Sequence, residues 1–492
     1  MSAPRLPSLR PSARTREVLA LAWPAIVSYT LNNTYRINDQ FWIQALGQNA
    51  QAAIGANFFL QILSFALAFL AVGGTIALVS RAVGARDGKA RDSYARHALA
   101  FALGVGLFLT IVVVSSLGPI PGMLGLAGET ADEARDYLFH LYLFMGPMAM
   151  LSVCDAIFIA RGNSRVPMIL QAIAIGLNTV LNPLLIYGKD AADAMHLPLL
   201  GEVAALARAL DIDGMGIGGA ALATGIARTL VVLMALALLS TTFRMRLRPM
   251  GPLSLRISLG RIGEIIRISG PASASIAVYS IAYILLLRIV LAPMGDAVLA
   301  GLGVGFQVFE GISFPCYLGV AMAGSSLVGR EIGARNRSGV LEVVHTVRVL
   351  TWRVGLFFAA LFWFGGPPFV AAFTDDPAVA HETLIYVRTL AFSQVLVAVE
   401  TANEKILLGS GRTRPILWIS PLGNLLRIPL GWLLSGPIAL GAAGVWWAIN
   451  ATTGLKAYLF WHRVEHGSWL DEVMAPDPAR QPARDSSSSQ RA

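Results

Sequence analysis

The amino-acid sequence predicts an all-α polytopic membrane protein with about 12 transmembrane helices in two six-helix lobes. Composition, loop charge and an internal repeat each support this fold class. Of the 492 residues, 55% are hydrophobic and only 14% are charged, whereas a soluble domain carries about 25% charged residues. Apolar runs of about 20 to 29 residues recur from Glu17 to Trp461, and about 20 residues suffice to cross the hydrocarbon core of a bilayer.

The long apolar runs define twelve predicted spans. They are 18–46, 51–79, 96–117, 134–159, 166–187, 216–241, 265–292, 298–328, 346–367, 380–403, 415–434 and 441–462.

The charge of the loops alternates along the chain. Arginine and lysine concentrate in five short loops, at 81–91, 161–165, 244–267, 330–337 and 405–414, and the loops between them are acidic or uncharged. Basic short loops stay cytoplasmic, so the sequence predicts cytoplasmic termini and a multi-pass protein of the plasma (bacterial inner) membrane. The net charge of +9 is then a topological signal, and we expect no nucleic-acid partner.

This topology divides the chain into five parts. They are a cytoplasmic N-terminal tail (1–16), an N-terminal lobe (17–242), a cytoplasmic inter-lobe loop (243–263), a C-terminal lobe (264–463) and a disordered cytoplasmic tail (464–492). The long loop at 188–215 contains "LGEVAALARALDI", whose apolar spacing fits an amphipathic helix on the outer surface as well as an ordered loop.

The two predicted lobes repeat each other at a distance near 248 residues. "SRAVGARDGKAR" at 80–91 corresponds to "GREIGARNRSGV" at 329–340, and "ARGNSRVPMI" at 160–169 corresponds to "LGSGRTRPILW" at 408–418. Six spans per lobe give both lobes the same orientation, so the repeat is parallel. Such halves are common in secondary transporters, with the substrate site at their interface, although a duplicated channel or scaffold would show the same pattern.

The repeated segments resemble the MATE (multidrug and toxic compound extrusion) family over about residues 15 to 460. The resemblance depends on Pro24, "NDQFWIQALGQNAQAAIG", "LNTVLNPLLIYG", "GIGGAALATGIAR" and the paired loops, in that order. It implies a central cavity that opens alternately to the two sides of the membrane and the export of small organic molecules, drugs or metabolites. It also implies an H⁺ or Na⁺ gradient as the driving force, without a cofactor. We expect the chain to act as a monomer.

The resemblance places a cation-coupling carboxylate at Asp39. A charge inside a span is costly unless it is paired or hydrated, and it therefore suggests function. Arg36, three residues earlier, lies on the same helix face and could form a structural ion pair with Asp39. The two roles are compatible.

Asn178 matches a typical asparagine of the family's fifth helix, and Asn182 stands where many members carry a second carboxylate. This difference puts a two-acid proton site in doubt. An amide oxygen can still bind Na⁺ or substrate, so Asp39 and Asn178 are possible Na⁺ ligands, and hydrogen bonding between helices is the simpler alternative.

The remaining intramembrane acids are weaker candidates. Glu400 in the tenth span is expected to bind a cation or substrate, and Glu404, one turn later, could belong to that site or extend to the cytoplasmic interface. Asp155 in the fourth span and Glu310 in the eighth are the weakest of these acids. Four further arginines fall in predicted spans, at Arg228, Arg288, Arg388 and Arg427. They either pair with the acids or make the cavity less hostile to anions than that of a typical cationic-drug exporter.

Four prolines fall inside predicted spans, at Pro24, Pro183, Pro271 and Pro429. Each removes a backbone hydrogen bond and is expected to kink its helix. Such kinks suit bending between two states, although kinks without that role are common.

Two other functions remain open. An intramembrane enzyme would need a nucleophile–base or metal cluster, and the seven histidines are scattered. A lipid-linked precursor flippase usually has more than twelve spans.

Overall fold

The computed structural model describes residues 12–194, 197–245 and 258–475, apart from the side chains of residues 36, 56, 58 and 59. Eighteen α-helices follow one another in this part of the chain. Those of the N-terminal lobe are α1 (Ala13–Ile43), α2 (Gln48–Gly84), α3 (Gly88–Ser115), α4 (Ile120–Met123), α5 (Gly128–Tyr142), α6 (Met145–Ala160), α7 (Arg165–Ile186), α8 (Ala191–Ala194), α9 (Leu200–Leu210) and α10 (Gly216–Ser240). Those of the C-terminal lobe are α11 (Leu259–Leu286), α12 (Asp296–Val304), α13 (Gly311–Gly333), α14 (Arg337–Ala371), α15 (Pro377–Ser410), α16 (Arg414–Ser435), α17 (Gly441–His466) and α18 (Trp469–Met474).

The described helices account for the predicted number of spans. Nine helical spans are long and apolar enough to cross a membrane, and α5 with α6 forms a tenth that is bent by 54°. The helices α1 and α17 are 31 and 26 residues long, which is also enough to cross, but both carry polar and charged residues along their length. Together these elements give twelve spans, and the predicted fold class is confirmed.

Two spans of the C-terminal lobe contain π-helical turns. Residues Leu287–Leu291 extend α11 in this form, and Gly305–Glu310 joins α12 to α13. A π segment widens the helix locally and is frequent at functional sites. The eighth span is therefore one continuous but locally widened helix that ends its π turn at Glu310.

The paired Gly-Ala loops start two equivalent helices in the same way. Asp87 accepts a hydrogen bond from the Ala90 backbone at 2.9 Å and caps α3, and Asn336 accepts one from Gly339 at 3.1 Å and caps α14. Side-chain oxygens of this kind satisfy the free N–H groups of the first helical turn. The repeated "GAR-D/N" sequence is therefore a helix start signal that occurs once in each lobe.

The lobes meet through a reciprocal contact between α2 and α13. A Cβ atom added to Gly84 would overlap the backbone of Arg330, and one added to Gly333 would overlap the backbone of Arg81. Because Arg330 follows Arg81 by 249 residues and Gly333 follows Gly84 by 249, the two contacts are related by the internal repeat. The glycines permit a close crossing of two helix backbones at the axis between the lobes.

Other contacts between the lobes lie on the same side, at the end that carries the basic loops, or near the middle of the helices. Arg14 bonds Glu331 at 2.8 Å, and Ser269 accepts a hydrogen bond from the Gly74 backbone at 2.6 Å. The contact farthest from the basic end joins Asn33 to the carbonyl of Gly311 at 3.0 Å. Beyond it, toward the opposite end, no hydrogen bond or ion pair joins the two lobes within residues 12–194, 197–245 and 258–475.

The structure refines the predicted tails and the long loop. Helix α17 extends to His466, and α18 buries Trp469 and Leu470. The prediction of disorder is therefore wrong for residues 464–475, which are largely helical, because these two apolar side chains pack against the lobe. The Pro/Ser-rich stretch at 476–492 lies outside the described residues. In the 188–215 loop, α9 forms the helix that its apolar spacing indicates.

Candidate functional site

Asp39 lies at the centre of a buried polar cluster in the N-terminal lobe. It is 6% exposed, and its side chain comes from α1. Asn182 of α7 donates to Oδ1 at 3.0 Å, and the Thr224 hydroxyl of α10 lies 3.1 Å from Oδ2. Three helices therefore converge on one carboxylate.

Asn178 connects this carboxylate site to a second layer of amides and hydroxyls. Its Nδ2 donates to the Thr224 hydroxyl at 2.9 Å, and its Oδ1 accepts from Asn38 at 2.6 Å. The amides of Asn178 and Asn182 face each other at 3.4 Å, one helical turn apart on α7. Asn178 and Asn182 are fully buried, so the sequence pattern N-x-x-x-N places two amides on the face of α7 that meets Asp39.

The chemistry of this cluster suits a small cation. Asp39, Asn178, Asn182 and Thr224 bring carboxylate, amide and hydroxyl oxygens together in a site that excludes most water. Oxygen ligands of this kind hold hard cations, and a lone carboxylate can alternatively take up a proton. Asp39 is the one carboxylate in this cluster, and Asn182 donates a hydrogen bond to it rather than sharing a proton with it.

Two arginines, Arg36 and Arg228, belong to helices that contribute to the Asp39 cluster, and the structure describes the side chain of Arg228 alone. Arg36 belongs to α1, but its side chain lies outside the described part of the structure, so the predicted pair with Asp39 stays a prediction. Arg228 of α10 stacks on the ring of Tyr35 at 4.5 Å and donates to Asn32 at 3.1 Å. Among the described side chains it forms no salt bridge.

Asp155 does not join the Asp39 cluster through any direct bond among the described residues. It lies on α6 and accepts a hydrogen bond from Gln171 of α7 at 3.2 Å. Its other carboxylate oxygen is buried without a hydrogen-bond partner in that part of the chain, as is the amide oxygen of Gln171. The pair forms a separate polar point deeper toward the basic end of the same lobe.

Glu400 forms a buried ion pair with Lys456 in the C-terminal lobe. The Nζ atom of Lys456, on α17, lies 2.8 Å from Oε1 of Glu400, on α15. Lys456 also donates to Asn424 of α16 at 3.1 Å. Both charged side chains are largely buried, at 5% and 13% exposure, so Glu400 is balanced by a cation from a neighbouring helix.

Arg427 of α16 lies in the same lobe and is only 7% exposed. Its Nε donates to the Thr452 hydroxyl at 3.2 Å and one Nη to the Thr453 hydroxyl at 3.1 Å. The guanidinium faces the ring of Tyr279, on α11, at 6.0 Å. No carboxylate of the described residues lies within salt-bridge distance of it.

Glu310 and Glu404 form contacts of their own and make no direct bond to Asp39, Arg427 or Lys456 among the described residues. Glu310 accepts a hydrogen bond from the Tyr386 hydroxyl at 2.8 Å. Glu404 is paired with the adjacent Lys405 at 2.6 Å rather than extending freely to the interface.

Two of the predicted intramembrane arginines do not reach the protein interior. Arg288 and Arg388 are exposed, which removes them from the interior charge balance.

Each buried site connects a middle span of its lobe to the last span. Asn178 reaches the Thr224 hydroxyl in the N-terminal lobe, and Arg427 reaches the Thr453 hydroxyl in the C-terminal lobe. One site therefore carries an amide beside a carboxylate, and the other carries a guanidinium. The two interior sites have opposite electrostatic character.

Sequence reasoning missed Thr224 and Lys456. Thr224 stands in "GGAALATGIAR", where small residues indicate close helix packing, and no pattern distinguishes its hydroxyl from a structural one. Lys456 was identifiable, because it is a lone charge in the middle of the last span.

The four prolines all lie inside helices, in α1, α7, α11 and α16. The kinks expected at these positions stay predictions.

A family model matches two long segments of the chain, and several curated proteins match nearly all of it. The MatE family model matches twice, at residues 24–184 and 271–433, in agreement with the repeat. A probable multidrug resistance protein NorM of Thermotoga maritima is 24% identical over 435 residues, covering 88% of each chain. The multidrug export protein MepA of Staphylococcus haemolyticus is 21% identical, covering 90% of this chain and 92% of its own length.

Solved structures share the fold. One is described as an outward-facing conformation of a multidrug resistance MATE family transporter of the MOP superfamily, with a TM-score of 0.81, 22% identity and coverage of 94% of this chain and 98% of that chain. Another, from Pyrococcus furiosus, is described as a MOP superfamily transporter whose reversed pocket polarity suggests a different function. It matches with a TM-score of 0.80 at 22% identity, covering 93% of this chain and 97% of that chain.

Proposed function

This chain belongs to the MatE family, and we propose that it is a secondary active exporter that moves small organic molecules out of the cell by alternating access, driven by an H⁺ or Na⁺ gradient. Its family and its multi-pass helical fold are those of membrane transporters, which points away from an enzyme. The substrate, the coupling ion and the orientation in the membrane belong to the proposal.

The observation that carries the proposal is the buried Asp39 cluster. Burying an ionisable carboxylate inside a membrane lobe, here among two amides and a hydroxyl, costs free energy. The cost is understandable if the group binds a cation in one state and releases it in another. Asp39, Asn178, Asn182 and Thr224 are the groups that would hold that cation, with their oxygens as ligands or with the proton on the carboxylate.

Contacts between the lobes at the basic end and near the middle of the helices support an alternating-access cycle. With the basic loops in the cytoplasm, the crossing at Gly84 and Gly333 would close the cytoplasmic side, and a cavity between the lobes would open outward. Entry of a cation at Asp39 from that side would change the hydrogen bonds that tie α1 to α7 and α10. A change in α1 reaches the other lobe directly, because α1 packs against α13 through Ile26 and Gly319.

The choice between H⁺ and Na⁺ depends on the charges near Asp39. Asn182 replaces a possible second acid, so a proton site would use Asp39 alone. We infer that Arg36 and Asp39 form a switching pair: closed, it keeps Asp39 ionised and available to Na⁺; open, it allows protonation. The free-energy difference between the two states comes from the counter-ion that Asp39 gains or loses.

Transport from proteoliposomes tests the proposal. The purified protein is reconstituted, and efflux of a panel of labelled organic cations, zwitterions and anions is measured under separate H⁺ and Na⁺ gradients. The proposal predicts uphill movement of at least one compound with one of the two gradients. No uphill movement of any compound under either gradient would contradict it, and movement of a labelled lipid-linked precursor alone would favour the flippase alternative.

A further inference from the structure

The C-terminal lobe contains a buried guanidinium, that of Arg427, with no carboxylate at salt-bridge distance among the described residues. Lys456, in the same lobe, is balanced by Glu400 at 2.8 Å. Arg427 has no carboxylate within 4 Å in the described residues, although it is more than nine-tenths buried. Glu310 interacts with Arg427 electrostatically from beyond salt-bridge distance, and its carboxylate accepts a hydrogen bond from the Tyr386 hydroxyl.

Some N–H groups of the Arg427 guanidinium have no hydrogen-bond partner among the described residues. It has five N–H groups, and two of them are used, by the hydroxyls of Thr452 and Thr453. The other three have no partner among the described side chains and backbone. The planar fork of an arginine fits two oxygens of a carboxylate or phosphate.

The surroundings of Arg427 favour a bound anion with an aromatic or apolar body. Two hydroxyls fix the guanidinium from the α17 side, and the ring of Tyr279 faces it from α11. Tyr279 packs in turn on Tyr283 at 5.3 Å. Aromatic faces next to a cation provide area for a flat ligand, because they contribute packing without adding another charge.

The two lobes differ in the charge of their buried polar sites. The N-terminal site contains the carboxylate of Asp39, whereas the C-terminal lobe contains the guanidinium of Arg427 with donors left unused. From this difference we propose that Arg427 binds an anionic group, a carboxylate or phosphate, of the transported molecule, and that the C-terminal lobe selects organic anions or zwitterions over simple cations. That the bound anion is a transported molecule rests on the proposed exporter function. Binding of an anion at Arg427 can be measured whether or not the protein transports it.

Binding of two matched dyes tests the inference. Carboxyfluorescein and rhodamine 123 share a xanthene scaffold and have opposite charges. Fluorescence polarisation is measured with the purified protein in phosphatidylcholine nanodiscs, without any ion gradient. We expect tighter binding of carboxyfluorescein, a loss of at least about tenfold in Arg427→Met, corresponding to one charged hydrogen bond, and a smaller loss in Arg427→Lys.

Arg288→Met is the matched control, because it removes the same charge from an exposed position of the same lobe. It should leave carboxyfluorescein binding unchanged, and rhodamine 123 should be insensitive to Arg427→Met. Gel-filtration profiles and melting temperatures show whether each variant is folded. Tighter binding of rhodamine 123, equal losses for both dyes, no carboxyfluorescein binding, or an unchanged affinity in folded Arg427→Met would overturn the inference.

A lipid headgroup could occupy the same site, and a second nanodisc sample separates this case. Phosphatidylglycerol is added to the bilayer; unchanged carboxyfluorescein affinity supports a substrate site, whereas competitive loss assigns Arg427 to lipid and overturns the proposal. Failure of the exporter proposal is seen separately: a protein that binds carboxyfluorescein through Arg427 but moves nothing uphill keeps the site and loses the transport function.

Discussion

Glu400 and Arg427 are buried charges in the same lobe, but only Glu400 has an oppositely charged partner at salt-bridge distance in the described part of the chain. The sequence does not reveal this difference. Glu400 has a cationic partner 56 residues later in the chain, on another helix, whereas the hydrogen-bond partners of Arg427 in the described part of the chain are hydroxyls. A sequence shows that a charge falls in a span, and the cost of burial then predicts a function or a partner. Which of the two applies depends on how neighbouring helices are rotated, and that information is not local.

Around Asp39, too, the sequence identifies the charged residue more readily than the neighbouring groups that contact it. A charge inside the first span pointed to Asp39, and the family resemblance of the fifth span pointed to Asn178 and Asn182; the structure brings the three together, and their role in coupling stays a prediction. Thr224 was not predictable, because a threonine in a small-residue helix is common for packing alone. The charged member of a polar cluster can therefore be identified from sequence more readily than its neutral ligands.

Removing one partner of the Glu400–Lys456 pair should destabilise the protein. Glu400→Gln leaves Lys456 buried without its counter-ion, and breaking a buried pair in this way costs about 3–5 kcal/mol. We expect an inserted protein with a lower melting temperature and impaired gradient-driven efflux. The double variant Glu400→Gln/Lys456→Met should recover most of the thermal stability, because neither charge remains. Equal melting temperatures of the single variant and the wild type would show that the pair is not a stabilising contact.

Arg36→Ala tests the switching pair next to Asp39. An opposite charge nearby favours the ionised carboxylate, so its loss makes Asp39 easier to protonate. We expect transport to persist but its pH optimum to move upward, or its Na⁺ requirement to weaken. Efflux from proteoliposomes across a pH series, with and without Na⁺, measures both. An identical pH and Na⁺ dependence in wild type and variant would separate Arg36 from coupling.

At the scale of helices, the lobe crossing is the most constrained feature of the fold. The sequence repeat near 248 residues indicated two related lobes, and the glycines of "VGARDG" and "IGARNR" marked the loops. The sequence did not indicate that Gly84 and Gly333 form the contact between lobes, each against an arginine of the other lobe. A glycine that ends a helix and a glycine that permits a crossing have the same sequence signal.

Gly84→Ala should weaken the closed crossing. The added Cβ overlaps the Arg330 backbone, which is not a flexible partner, and overpacking of this kind costs about 1–3 kcal/mol. A cysteine pair at Ser80 and Ser326, whose hydroxyls are 3.4 Å apart, reports closure in a background from which both native cysteines have been removed.

Disulfide formation in this pair should be fast with Gly84 and slower with Gly84→Ala. Gly104→Ala is the control, since nothing lies within 4 Å of a Cβ at Gly104. Equal cross-linking rates in all three proteins would mean that the crossing does not control closure at this end.

At the scale of the molecule, orientation in the membrane follows from loop charge alone. The basic loops and both termini are predicted on the cytoplasmic side, with residues 190–213 outside. A single cysteine in place of Ser254 should resist an impermeant maleimide in intact cells and react with it in everted vesicles. A cysteine in place of Glu202, in α9, should show the reverse. Labelling of the Ser254 site from outside would invert the topology, and with it the direction in which the cavity opens.

We propose that a cation bound at Asp39 couples the ion gradient to transport, and the variant Asp39→Asn tests this coupling. The amide keeps the size of the side chain and removes the charge, so substrate exchange down its own gradient should continue while ion-driven uphill efflux is lost. Both are measured in the same proteoliposomes, with H⁺ and Na⁺ gradients applied separately. Loss of uphill efflux with retained exchange is the predicted result; uphill efflux at the wild-type rate in Asp39→Asn would contradict the claim.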